Sequence, residues 1–340
     1  RKKKVEMVRC ITQPEIEVPA DADFIIEGYV DPSEELIWEG PFGDHTGYYS
    51  LADWYPKFHV TAITHKKDAI YPATIVGIPP QEDAWIGKAT ERIFLTPIKM
   101  TMVPEITDMN MPVEGVFHNL VIATINKEYA GQGQKVMNAM WGAGQMMFNK
   151  ILVLANGVGQ NGIKIDDYGK LAKEVFDNLN PVTDIYFSQG PMDVLDHSCS
   201  KMGFGGKMCI DGTRKTEEEQ TEELRPYKIS GAFSAKQIMA DMPEVNGVND
   251  VLMRQWEIPV LMVSMKKDRP GHVRDLHTRI AGAAGMEGVK MVIYVEHTVD
   301  IHDIADVLWR FCNNLDPRRD NFYGGAQQQI LGLDGTRKTK

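Results

Sequence analysis

The sequence predicts a chain of mixed α+β and α/β class: a β-rich first part, an α/β region, and a degenerate second copy of that α/β unit. Three observations predict it. Residues 5 to 76 hold short alternating, β-branched runs separated by Pro, Asp and Gly turns. From about residue 116, strand-like runs alternate with helical patterns, as in a mainly parallel sheet with covered faces. Three segments of this region then recur, in the same order, nearer the C-terminus.

In the β-rich part, Val5–Ile11, Asp23–Val30, Lys57–His65 and Ala69–Val76 read as strands. Glu82–Ile98 has helical spacing of Ile86, Ala89, Ile93 and Phe94. Phe117–Ile125 reads as a buried strand and Gly131–Phe148 as a helix carrying Val136, Met140, Met147 and Phe148. Lys150–Ala155 is a strand, Asp166–Leu179 a helix and Val182–Phe187 a strand. Asn126-Lys-Glu-Tyr-Ala-Gly131 is echoed by Lys266-Lys-Asp-Arg-Pro-Gly271, and Phe176-Asp-Asn-Leu-Asn-Pro181 by Phe311-Cys-Asn-Asn-Leu-Asp-Pro317. Asp211-Gly-Thr-Arg-Lys-Thr216 recurs letter for letter as Asp334-Gly-Thr-Arg-Lys-Thr339. Three regions follow: 1–110, 111–225 and 226–340. The acidic run Glu217–Glu223 reads as a solvated linker.

The 340 residues are 43% hydrophobic and 25% charged, an ordinary soluble globular composition with room for a large core. The net charge of −10 argues against a nucleic-acid partner, which needs a basic face. Cys10, Cys199, Cys209 and Cys312 are scattered without a CxxC pair and read as reduced thiols of a cytoplasmic protein. No apolar run reaches the roughly 18 residues of a membrane span. The N-terminus is neither a signal nor a transit peptide, and it reads as an internal cut.

The most informative stretch is Glu39-Gly-Pro-Phe-Gly-Asp44-His45-Thr-Gly-Tyr-Tyr49. Two carboxylates stand five residues apart across a Gly/Pro-rich segment, which reads as a tight loop, neither helix nor strand. Paired carboxylates in a dry pocket push each other's pKa apart, so that one holds a proton while the other stays ionised. Acids beside Gly and Pro are also common in solvated turns. Against that stand the crowding aromatics Trp38, Phe42, Tyr48, Tyr49 and Trp54, the adjacent His45, and the flanking hydrophobic runs.

The other motifs are weaker. Gly157-Val-Gly159-Gln-Asn-Gly162 fits GxGxxG after a strand, but helical spacing resumes only near Asp167, so a glycine-rich connecting loop is the better account. His297 and His302 stand five apart, off the spacing of a helical metal pair, and His197 with Cys199 has no second pair nearby. The 19 methionines read as core filler.

Several motifs in order resemble the UbiD-type decarboxylases: Glu17 to Tyr29, Glu39 to Tyr49, Thr61-Ala-Ile-Thr64, Asp68-Ala-Ile-Tyr71, Lys127-Glu-Tyr-Ala-Gly131 and Ser200-Lys-Met-Gly203. Gly87-Lys-Ala-Thr-Glu-Arg-Ile-Phe94 and the duplicated tail resemble the family's longer, menaquinone-associated branch. The resemblance implies the second half of a flavin-reductase-like split β barrel over about 1–110, then the α/β domain. It implies prenylated FMN with a divalent metal, Mn2+, and K+ at its phosphate, and a flavin prenyltransferase to supply that cofactor. It implies a catalytic trio of one Arg and two carboxylates; Glu39 and Asp44 match the carboxylates, while the Arg and the metal ligands are expected upstream of residue 1. Phe42, His45 and Leu195 are expected to border the pocket, with Pro191–His197 and Ser200–Gly203 as walls. The implied reaction is reversible, non-oxidative decarboxylation of an aromatic quinone precursor, a prenylated hydroxybenzoate or naphthoate-like acid, by a homo-oligomer. A cofactor supplies the electron sink and Asp44 the proton. Alone, this chain is expected to be inactive. The alternatives are a non-catalytic oligomerisation or scaffold piece, separated by testing a full-length chain for decarboxylation, and a dinucleotide-binding protein, tested by NAD titration.

Overall fold

A computed structural model describes residues 3–220, 226–325 and 329–338. The chain divides into two units: residues 1–44 with 48–76, and residues 45–47 with 77–340. Among the described residues no helix is long and apolar enough to cross a membrane.

The first unit is built from three two-stranded antiparallel ladders, not a closed barrel. β1 (Met7–Arg9) pairs with β2 (Glu17–Pro19), β3 (Phe24–Tyr29) with β6 (His59–His65), and β4 (Ile37–Glu39) with β5 (Asp53–Tyr55). Glu27 on β3 is buried and accepts from the Thr12 hydroxyl at 2.7 Å, the Thr12 amide at 2.6 Å and the Ile11 amide at 2.8 Å. Those bonds, the Thr12 hydroxyl foremost, hold its carboxyl below the usual range. The strand expected at Ala69–Val76 does not form: the segment is irregular, and Ile70, Tyr71 and Ile75 are exposed. β-branched residues favour strands only where a neighbour completes the ladder.

The second unit begins with α1 (Asp83–Thr101) and β7 (Ile106–Asn110), the latter not anticipated from sequence. There follow β8 (Leu120–Ile125), α2 (Gln132–Trp141), β9 (Ile151–Asn156), α3 (Val158–Asn161), α4 (Tyr168–Asp177), β10 (Ile185–Pro191) and β11 (Phe204–Asp211). The helix expected over Gly131–Phe148 breaks after Trp141; Gly142 ends it, and Gly144–Phe148 forms a 3-10 turn. α3 is a single turn inside the GxGxxG motif, closed by Gly162 at φ 71°, where a connecting loop was expected. The long helix that a dinucleotide fingerprint requires does not start there.

The next stretch holds α5 (Ala235–Asp241), β12 (Val245–Asn249), α6 (Val251–Gln255), β13 (Val260–Met265) and α7 (His272–Ala281). It ends with β14 (Met291–Glu296), α8 (Ile304–Asn314), β15 (Asn321–Gly324) and β16 (Ile330–Asp334).

The two five-stranded sheets have one topology. In β7-β8-β9-β11-β10 the three inner strands are parallel and both edges antiparallel, and β12-β13-β14-β16-β15 repeats that order and those directions. The echoed sequences fall at matching places. Gly131 at φ 76° precedes α2 and Gly271 at φ 78° precedes α7, a conformation that favours glycine. Asp211 accepts from the Thr213 amide and hydroxyl at 3.0 and 2.5 Å; Asp334 does the same for Thr336 at 2.9 and 2.5 Å. Lys127 and Lys267 each reach the threonine of their own copy at 3.2 Å.

Alternation along the inner strands sorts their side chains into three cores. Val121, Ala123, Leu152 and Leu154 face α1 and α2, with Ile98, Val136 and Met140. Leu261, Val263, Val292 and Tyr294 pack with Ile238 of α5 and Val273, Leu276 and Ile280 of α7. The opposite faces of both sheets share one core, Ile151 and Met208 with Met262 and Ile293, in which Leu171 and Val175 of α4 meet Val307 and Phe311 of α8. Asp167 caps α4 and Asp303 caps α8, each side chain accepting from a first-turn amide. The copies also trade polar contacts. Lys150, just before β9, donates to the Cys312 carbonyl at the end of α8 at 2.8 Å, and Lys290, just before β14, donates to the Phe176 carbonyl in α4 at 2.5 Å.

His277 on α7 is buried between the Tyr294 hydroxyl (2.9 Å from Nδ1) and the Ile330 carbonyl (3.1 Å from Nε2). The carbonyl needs an Nε2–H donor, and in the neutral ring Nδ1 then accepts from the tyrosine hydroxyl. Burial pushes its pKa down to about 4. The fold therefore holds the unprotonated form, and this contribution is complete above the ordinary imidazole value and lost as pH falls from about 6.5 toward 4. It amounts to about 3 kcal/mol. Urea unfolding at about pH 7 and pH 4.5 should show a steeper loss for the native chain than for His277→Gln, which has no ring to protonate.

Candidate functional site

The acidic segment is held by a hairpin. Trp38 and Trp54 pair across β4 and β5 with rings 5.3 Å apart in edge contact, and Glu39 ends β4 opposite Asp53. The Gly40–Pro41 peptide is cis, and Gly40 at φ 92° lies so close to Ala52 that an added Cβ would stand 3.3 Å from its Cα. Beyond it the ladder resumes: the Ser50 amide donates to the Phe42 carbonyl at 2.8 Å, the Phe42 amide to the Ser50 hydroxyl at 2.9 Å, and Gly43 bridges Tyr49. The Asp44 amide donates to the Tyr48 carbonyl at 3.1 Å. The segment expected to be neither helix nor strand is thus the end of a hairpin whose backbone is fixed rung by rung. Asp44 is half-buried; Glu39 and Phe42 are exposed. The dry pocket expected around both acids is therefore not formed around Glu39 by this chain alone, since water reaches that carboxylate.

At His45 the chain passes to the second unit, where His45–Gly47 belong. The His45 ring lies 3.7 Å from Asp83, 6.0 Å from the Phe117 ring and 5.8 Å from the His118 ring. Trp309 of α8 donates from Nε1 to the His45 carbonyl at 2.9 Å, and Thr46 is buried. His118 follows two non-glycine residues in the left-handed region, Val116 at φ 44° and Phe117 at φ 68°, a costly geometry that concentrates at functional sites. Among the described residues neither of its buried ring nitrogens has a hydrogen-bond partner. Burial lowers its pKa, while Asp193 and Asp196 pull it upward.

Leu195, half-buried, sits in a loop ordered by its own acids. Its amide donates to Asp193 at 2.9 Å, and the Ser198 amide and hydroxyl donate to Asp196 at 3.0 and 2.6 Å. Asp196 is in turn paired with the buried Lys150 at 2.6 Å. His297 and His302 are exposed, and among the described residues no group of three His, Cys, Asp or Glu side chains could hold a metal ion. All four cysteines are free, and three are buried. Asp83, His118 and Trp309 were not singled out from sequence. A buried Trp in a helix looks like core, and a histidine after Val-Phe carries no spacing signal.

Comparison with known proteins places the chain. The model of the 3-octaprenyl-4-hydroxybenzoate carboxy-lyase Rift-related domain matches residues 1–79, and that of the C-terminal domain matches 84–212 and 229–331. An uncharacterized protein of Helicobacter pylori is 37% identical over 99% of this chain and 52% of its own length; one of Aquifex aeolicus is 49% identical over 63% of this chain and 43% of its own. The chain thus spans about half the length of the relatives it matches. The UbiD-class enzyme HmfF from Pelotomaculum thermopropionicum, solved in complex with FMN, aligns at TM-score 0.52 and 26% identity over 66% of this chain and 49% of that one. Vanillic acid decarboxylase of Sedimentibacter hydroxybenzoicus shares the fold at TM-score 0.55 and 24% identity, over 65% of this chain and 47% of that one. With both family domains matched in order along its length, the chain belongs to the 3-octaprenyl-4-hydroxybenzoate carboxy-lyase, or UbiD, family.

Proposed function

We propose that this chain carries the acid/base half of a prenylated-FMN-dependent decarboxylase. The observation that carries the reading is the hairpin end that fixes the backbone of Glu39 through Asp44, in a chain matched along its length by both family domains. Asp44 delivers the proton to the carbon that loses CO₂, and Glu39 orients the reacting groups and tunes Asp44 by charge. The flavin, when bound, supplies the electron sink. The ligands of the implied divalent ion and K+ are assigned to residues outside this chain; among the described residues no group of three His, Cys, Asp or Glu side chains could hold a metal ion.

The proposed substrate is an aromatic, quinone-precursor carboxylic acid, with Phe42, His45 and Leu195 bordering it. The half-barrel reading of the first region is supported by its exposed apolar residues Ile26, Trp38, Trp54 and Ile63, a surface that fits burial against further polypeptide and so also supports a homo-oligomer. Free, mostly buried thiols fit a cytoplasmic protein, and a flavin prenyltransferase is the proposed source of the cofactor.

The test is reconstitution. A full-length protein carrying this sequence should bind prenylated FMN and release CO₂ from a hydroxylated aromatic acid. The 340-residue chain alone should purify without flavin absorbance and without turnover. A yellow, flavin-loaded preparation of the chain alone would overturn the assignment of the cofactor's phosphate and metal ligands to other residues.

A further inference from the structure

We propose that the second α/β copy holds a carboxylate site, built from the Lys267 ammonium and the Gly271 amide, that takes one ionised carboxyl group of an acidic peptide segment. The first copy shows the equivalent groups with such a carboxylate in place. There Lys127, just after β8, donates to the Thr213 hydroxyl at 3.2 Å and pairs with Glu219 at 2.6 Å. The other Glu219 oxygen accepts from the Gly131 amide, at the start of α2, at 2.8 Å. The Thr216 amide adds a bond at 3.0 Å. Glu219 belongs to the acidic run that reads as a solvated linker, yet a lysine only 2% exposed draws it in. Burial pushes the Glu219 carboxyl upward, but Lys127 and the Gly131 amide outweigh it and hold the pKa at about 2. What this arrangement keeps is therefore the ionised form.

The second copy repeats the parts. Lys267, just after β13, donates to the Thr336 hydroxyl at 3.2 Å, and Gly271 precedes α7 in the left-handed conformation that Gly131 adopts before α2. The turn between lysine and helix is closed alike in both. The Glu128 amide donates to the Gln132 side chain at 2.6 Å, and the Asp268 amide to the His272 ring at 3.3 Å. What differs is the carboxylate. Glu219 follows Asp211 by eight residues, and the same step from Asp334 passes Lys340. Among the described residues nothing accepts from the Gly271 amide. Lys267 is 21% exposed where Lys127 is 2%. Lys267 does meet Asp334 at 3.2 Å, but Lys338 shares that carboxylate at 3.1 Å. Asp320, the other partner of Lys338, is also held by Arg319. Three cationic side chains thus face two carboxylates, and one more anion balances them. An ammonium beside a helix-start amide holds a carboxylate by charge and by a directed N–H bond.

Two sources can bring that group: polypeptide following Lys340 in the full-length protein, or a separate acidic peptide. Hydrogen exchange of the Gly271 amide, resolved to the single residue in the full-length protein, separates them. Gly131 is the internal reference: it should exchange slowly, and about tenfold or more faster in Glu219→Ala. Protection of Gly271 in the protein alone, removed by Lys267→Met, supports the site with its carboxylate drawn from the same chain. The other supporting result is free exchange of Gly271 in the protein alone, slowed about tenfold by added peptide Thr216-Glu-Glu-Glu-Gln220. That slowing should be absent in Lys267→Met, and it assigns the carboxylate to a separate peptide. Lys267→Gln serves if the methionine variant does not fold. Gly271 exchange that stays fast with and without the peptide would overturn the site. So would exchange that is equally slow with and without the lysine.

Discussion

Asp44→Asn, in the cofactor-loaded protein, is expected to lower the rate of CO₂ release by about 10²–10⁴-fold, the usual contribution of a placed general acid. Fold and flavin content should be retained, since asparagine matches aspartate in size and leaves the bond from this residue's amide to the Tyr48 carbonyl intact. Glu39→Gln should also depress turnover, because it removes the negative charge that the reading assigns to orienting the site. If both acids were solvated turn residues, each variant would turn over normally and change stability by no more than about 0.5 kcal/mol. CO₂ release and flavin content, measured for each variant, separate the two outcomes.

The largest stability effect is expected at Lys150. Its ammonium is buried, pairs with Asp196 at 2.6 Å and donates to the Ser198 hydroxyl at 2.9 Å and the Cys312 carbonyl at 2.8 Å. Lys150→Met leaves the Asp196 carboxylate buried without its counter-charge and frees a carbonyl at the seam between the two copies. Removing one partner of a buried pair typically costs about 3–5 kcal/mol, because an uncompensated charge remains. The double variant Lys150→Met/Asp196→Asn should recover part of this loss, since the surviving amide can still accept from Ser198 without a charge to desolvate. Urea unfolding decides: a single-variant loss within about 0.5 kcal/mol would show that water reaches the pair.

The sequence made part of this legible for physical reasons. Ile151–Asn156 and Tyr168–Asp177 were readable because a strand or helix buried in a two-sided core must repeat its apolar residues at the element's own period. The echo of Asp211-Gly-Thr in Asp334-Gly-Thr was readable because both loops solve one local problem, an aspartate accepting from the amide and hydroxyl two residues on. What escaped depended on distant partners. Ala69–Val76 has the composition of a strand and no ladder to join. The hairpin end at Phe42 and Ser50 is made by backbone groups that composition does not distinguish from a loop. Trp309 and His118 gain their meaning from residues dozens to hundreds of positions away. Glu39 and Asp44 stood out through residue type and spacing alone.

The traded lysines at the seam have a consequence for how this protein can be taken apart. Each copy completes the other's last helix, Lys150 at Cys312 and Lys290 at Phe176, so what joins them is reciprocal chemistry and not the peptide thread. Two separately produced polypeptides, cut within the acidic stretch after Thr216, should therefore find one another and reassemble by complementation, much as the halves of a symmetric pair would. Either piece made alone would lack the carbonyl that its lysine, Lys150 or Lys290, meets across the seam.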